Sequence, residues 1–151
     1  MKKKLNPAGV ILTILLIASY AFCVVMNFGM MMDNRHGRIR YCLLSSGLFL
    51  IVAFAYALYK RRNKKPLVFG TVFWSLSLVC SLLVLLMNTS YNDWMSLTYF
   101  LMMLFTPPCF GVAVAFKGYS NTLYFAALIA VPAAELIFHI ILLAVRKRVK
   151  K

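Results

Sequence analysis

Acidic residues are nearly missing from this chain of 151 residues: Asp and Glu together number three, against seventeen Lys and Arg. Long polar intervals are missing too. The longest runs from Asp33 to Arg40, too short to bury a core of its own, which excludes a soluble domain beside the apolar ones. Cysteine is sparse and unpaired in sequence. Cys23, Cys42, Cys80 and Cys109 stand singly, with no two-residue spacing, so zinc and dithiol motifs are excluded and no disulfide framework is indicated. Only two histidines occur, His36 in a polar interval and His139 in an apolar one, which makes a bis-histidine haem site hard to build. There is no glycine-rich phosphate loop. Ser90, His36 and Asp93 form no recognisable catalytic order, so no enzyme and no cofactor is expected.

What the chain has instead is apolar length. Hydrophobic residues make up 63% and charged ones 13%, far from the balance of a water-soluble protein. All seventeen basic residues lie outside five stretches, approximately 8–32, 41–59, 67–87, 95–116 and 122–145. About 20 apolar residues cross the hydrocarbon core as a helix. The composition therefore predicts an all-α integral membrane protein, a single transmembrane domain over 1–151, built as a bundle of five hydrophobic helices. Frequent Lys and short loops point to a bacterial plasma membrane. The run that opens the chain resembles a secretory signal, with Ser19, Tyr20 and Ala21 as a cleavage site, but apolar residues continue to Met32 and the reading is an uncleaved anchor.

A net charge of +14 in a soluble chain would suggest nucleic acid. Here the charges cluster beside apolar runs, at Lys2 to Lys4, Arg35 to Arg40, Lys60 to Lys65 and Arg146 to Lys151. Such clusters set topology and attract anionic head groups, at roughly 1 kcal/mol per basic residue. The expected partners are membrane lipids, through Arg35, Arg38, Arg40, Lys60, Arg61 and Arg62, together with another membrane protein or further copies of this chain. Nucleic acid is not expected.

The charges also bear on the number of crossings. Five full spans divide the basic residues nine to eight, which gives almost no orientation; four full spans with a re-entrant 95–116 segment divide them thirteen to four. Pro107 and Pro108 offer a place for the interruption, because they remove two donors and leave the carbonyls of Met103 and Leu104 without helical partners. Such carbonyls are tolerated at membrane depth only where protein or water satisfies them. Apolar length favours five helices, the fourth kinked at Pro107 and Pro108; charge favours the four-span alternative.

Small residues four apart mark close helix contacts: Ala53 with Ala57, Ser77 with Ser81, and Gly111 with Ala115. The longest series, Ala126, Ala130 and Ala134, is expected to face the other helices and to leave Phe125, Ile129 and Leu136 pointing away.

One residue stands out chemically. Glu135 is the only acidic side chain inside an apolar stretch, where an ionised carboxylate costs about 2.5 kcal/mol or more. His139 is one turn later on the same face, and Pro132, which can kink this helix, frees the Leu128 carbonyl nearby. The pair reads either as a proton or ion site of a small transporter or channel subunit, or as hydrogen-bonded packing within an accessory, assembly or immunity-type subunit. Interaction is the leading reading, since a transport path needs a further site residue and none is evident. Met30 to Met32 with His36 and Cys23 or Cys42 hold soft ligands suited to reduced copper, but methionine is ordinary apolar filling, and no metal is expected.

Overall fold

The computed structural model describes residues 7–33, 39–89 and 101–149. These residues are helical apart from short turns. The elements are α1 (Pro7–Asp33), α2 (Ile39–Tyr59), α3 (Lys64–Thr89), α4 (Pro107–Lys117) and α5 (Asn121–Val149), and residues 101–105 add a helical turn ahead of α4. Four helices are long and apolar enough to cross a membrane: Pro7–Gly29, Ile39–Tyr59, Lys64–Leu86 and Asn121–Arg146. Among the described residues the fourth stretch, 95–116, supplies none of them. Its helix α4 has 11 residues, about 16 Å at 1.5 Å per residue, roughly half a hydrocarbon core.

Cross-helix contacts fix the direction of each helix. Asn27 and Cys23 of α1 meet Ser45 and Ser46 of α2, while Gly9 near the start of α1 lies against Tyr59 and Lys60 at the end of α2. These two helices are antiparallel. Gly70 of α3 faces His139 of α5, and Arg146 Nε donates to the Arg62 carbonyl at 2.9 Å, so α3 and α5 are antiparallel as well. The chain therefore leaves α3 and enters α5 on the same side. Five full spans are incompatible with that geometry, and the four-span arrangement holds. The start of α1, the α2–α3 turn and the end of α5 share one face, flanked in sequence by thirteen of the seventeen basic residues.

The break at the proline pair explains why the fourth segment stops short. Thr106 caps α4 with φ −90 and ψ −18, and Pro107 and Pro108 fill the first helical positions, where a missing N–H costs least. Cys109 N–H then turns to Thr106 O at 2.9 Å, which deprives Phe105 O of its helical donor. Other helices supply donors to two of these carbonyls: Tyr20 of α1 donates to Leu104 O and Ser77 of α3 donates to Phe105 O at 2.7 Å. Ser46 of α2 adds a bond to Pro107 O at 3.1 Å, a carbonyl already within the first turn of α4. Tyr20 lies thirteen residues from Pro7, Ser46 thirteen from Tyr59 and Ser77 thirteen from Lys64. Three hydroxyls thus sit at one depth, about 20 Å from the basic face by helical rise. By contrast, α5 runs unbroken through Pro132.

Packing follows from this insertion. α4 wedges against α2 and α5 and touches α1, while α2 and α3 meet only slightly. The close approach of α4 to α2 rests on Gly111, where a Cβ would collide with the Cys42 carbonyl and the Ser46 hydroxyl. Ala53, Ala57, Ser77 and Ser81 are buried, as their spacing suggests.

The face expected for α5 is reversed. Ala126, Ala130 and Ala134 point outward, whereas Phe125 and Leu136 pack on the core. The physical reason is distance. The inner face of α5 meets α4 and the aromatic cluster of Phe49, Phe73 and Trp74, and larger side chains are needed to fill that space than in direct helix contact.

Two outcomes follow. Gly111→Ala should destabilise the protein in detergent by about 1–3 kcal/mol through overpacking, whereas Gly47→Ala, whose Cβ meets nothing within 4 Å, should be neutral or slightly stabilising; thermal unfolding of the two side by side checks this. For topology, Tyr119→Cys (85% exposed) should label from outside the cell with a membrane-impermeant maleimide, and Asn63→Cys only after permeabilisation. The four native cysteines are buried and give little background. Labelling of both positions from one side would refute the four-span arrangement.

Candidate functional site

Glu135 and His139 lie on the inner face of α5 in line with Leu128 and Pro132, which are both nearly fully buried. Helical spacing puts the four residues in one stripe. The pair meets, but not through its side chains. His139 Nδ1 donates to the Glu135 backbone carbonyl at 2.9 Å, while Glu135 Oε2 is 3.9 Å from the same nitrogen, beyond hydrogen-bond reach. Glu135 Oε2 is buried and has no hydrogen-bond partner. A carbonyl can only accept, so Nδ1 carries the proton, and Nε2 is turned toward Gly70 of α3, where a Cβ would strike the ring.

His139 also helps to line a partly open cavity of about 240 Å³ whose other walls come from α1, α2 and α3. Leu16, Ile17 and Tyr20 come from α1, Phe49, Ala53, Tyr56 and Ala57 from α2, and Pro66, Phe69, Gly70, Phe73 and Trp74 from α3. No residue of α4 takes part. The cavity lies on the basic side of the level at which α4 begins, where none of the described residues of the fourth segment lines it. Its walls are almost wholly apolar and strongly aromatic. Tyr20 stacks at a tilt on Phe49 with centroids 5.4 Å apart and edge-on to Phe73 at 5.7 Å.

Above this cavity lies the basic rim. Lys60 Nζ sits 5.3 Å from the ring centroid of Tyr59 and 5.9 Å from that of Tyr56, within cation–π range. Arg61 and Arg62 are exposed beside it. Arg40 is exposed at the start of α2, on the opposite face. Arg35, Arg38 and His36 lie outside the described residues, as do Ser90, Asp93 and Trp94.

A second polar cluster was not legible as such in the sequence. Asn27, fully buried, donates through Nδ2 to Cys23 O at 2.8 Å and lies 3.2 Å from Ser46 Oγ and 3.4 Å from Ser45 Oγ. Asn27 shows in the sequence as an interruption of an apolar run. Ser45 and Ser46 give no such signal, because serine is common in membrane helices and bonds its own backbone there. Cys109 is buried with Sγ 3.4 Å from Ser77 Oγ. Among the described residues no three His, Cys, Asp or Glu side chains converge on a common point.

The chain matches no family model, and no curated protein or solved structure is similar to it.

The His139 contact has a spectroscopic consequence. In nitrogen-15 spectra of the reconstituted protein, Nδ1 of His139 should remain protonated whatever the state of Nε2. A bare Nδ1 would show that the bond to the Glu135 carbonyl does not form.

Proposed function

We propose that this protein is a non-enzymatic subunit of a membrane assembly, of the accessory, assembly or immunity type, and that it docks another transmembrane helix on the outward face of α5. The observation that carries this reading is the exposed series Ala126, Ala130 and Ala134. Between helices in lipid there is no hydrophobic drive, so association rests on backbones approaching closely, and small residues four apart permit that. A lipid-facing surface has no need of them; Ile17, Val25 and Ile51, more than half exposed on α1 and α2, are of the bulky kind that lipid contact tolerates. The occupant is a helix of a different membrane protein or of a second copy of this chain. The basic face suits the anionic inner leaflet of a bacterial plasma membrane, where we place the protein.

A second reading keeps Glu135 and His139 as the proton site of a small transporter or channel subunit. Its support is the unpartnered Glu135 Oε2 beside the imidazole. Burial without a hydrogen bond is a costly arrangement for packing alone.

A photocrosslinking residue at Ala130 in native membranes separates the readings. The interaction reading expects a protein adduct of defined mass, lost on Ala126→Leu while thermal stability is kept, with Ile51 giving lipid adducts only. Lipid adducts alone at Ala130 would defeat it. Glu135→Gln should leave that adduct intact, and if it instead abolishes a pH-driven flux in proteoliposomes, the transport reading takes its place.

A further inference from the structure

The central cavity has no role in the docking of α5, and its chemistry points to a ligand of a particular kind. We propose that it binds one hydrocarbon chain of an anionic membrane lipid, which enters sideways between α1 and α3 and leaves its phosphate head group beside Lys60.

Four observations lead there. The walls are apolar and aromatic, with the Tyr20 hydroxyl already engaged by the Leu104 carbonyl, so the interior offers dispersion contacts and little hydrogen bonding. The volume of about 240 Å³ exceeds the roughly 150 Å³ of an apolar cavity that takes up benzene. It is far too small for a helix about 10 Å across, which leaves a slender flexible chain. The opening lies between two helices that pack little on one another: of the lining residues, Ile17 on α1 is 65% exposed and Phe69 on α3 is 72% exposed. Both would face lipid, so the portal opens to the bilayer. Finally, Tyr56 is shared between the wall and the cation. Its ring lines the cavity while Lys60 Nζ sits 5.9 Å from its centroid. Lys60 is followed directly by Arg61 and Arg62, both exposed. A chain that enters through this portal while its head group stays at the basic face therefore sets the phosphate among positive charges, which favours an anionic head group over a zwitterionic one.

The inference stands independently of the docking reading. It can be tested with Trp74, which lines the cavity and is 2% exposed, so that bulk lipid collides with it little. With Trp94→Phe it becomes the single tryptophan of the chain. The protein is reconstituted in phosphatidylcholine vesicles containing a small fraction of chain-brominated phosphatidylglycerol or, separately, the same fraction of chain-brominated phosphatidylcholine.

Brominated phosphatidylglycerol should quench Trp74 at least twofold more steeply than brominated phosphatidylcholine. Lys60→Gln should remove that difference while leaving quenching itself. Ala53→Leu or Ala57→Leu, which adds side chain to the wall, should reduce quenching by both lipids in whichever variant keeps the helical content and melting behaviour of the parent. Millimolar inorganic phosphate should change nothing; if it abolishes the head-group preference, the basic rim is a site for free phosphate and the lipid proposal falls. Equal quenching by both lipids in the parent protein, absence of quenching, or full quenching in the folded wall variants would each overturn it as well.

Discussion

Inside a bilayer a peptide carbonyl that loses its helical donor has no water to turn to, and each such group costs several kcal/mol. Pro107 and Pro108 create that situation at the level of Leu104 and Phe105. The structure meets it with hydroxyls from two spanning helices, Tyr20 on Leu104 O and Ser77 on Phe105 O, while Ser46 of a third anchors the first turn of α4 through an additional bond to Pro107 O. Against a net stability of about 5–15 kcal/mol for a typical domain, leaving both carbonyls bare would be ruinous. These bonds therefore tie α1, α2 and α3 to the same point of the fourth segment. They set the depth of α4 and, through it, the spacing of the whole bundle.

The remaining architecture follows from where that point lies. Because the hydroxyls sit well toward the less basic face, α4 needs only its 11 residues to return to the surface, where Lys117 complements the negative end of its dipole. The wedge holds the helix pairs α1–α2 and α3–α5 apart at its own level. Toward the basic face α4 takes no part, and aromatic side chains from three helices line the cavity there. Those demands also explain the orientation of α5. Its inner face must span a wide interior, so it carries Leu128, Leu136 and His139, and the stripe of Ala126, Ala130 and Ala134 is left for the outside.

Electrostatics reinforce the same topology. With the fourth segment returning to its side of entry, the basic residues divide thirteen to four, a bias that five crossings would erase. Glu135, largely buried, lies on the inner face of α5 within this asymmetric bundle. Glu135 lends its backbone carbonyl to His139 while its Oε2 goes without a hydrogen bond. The imidazole is thereby held against Gly70, at the edge of the cavity rather than against the carboxylate.

Apolar length and the position of every Lys and Arg determined, by themselves, that this chain lies in a membrane as helices, because nothing but a hydrogen-bonded helix or a closed barrel can hold a backbone in lipid and helix-length runs are printed in the sequence. The charge count already contained the four-span answer, and the proline pair marked where the interruption falls. The candidate pair Glu135 and His139 was legible from helical spacing. What only the tertiary structure decided are relations between helices: that Tyr20, Ser46 and Ser77 share a depth, that the alanine stripe faces out, that His139 bonds a carbonyl and lines a cavity. Sequence periodicity states which residues share a face of one helix. It is silent on which face meets which neighbour, and that is fixed by packing around a half-length insertion whose length in turn depends on partners from three other helices.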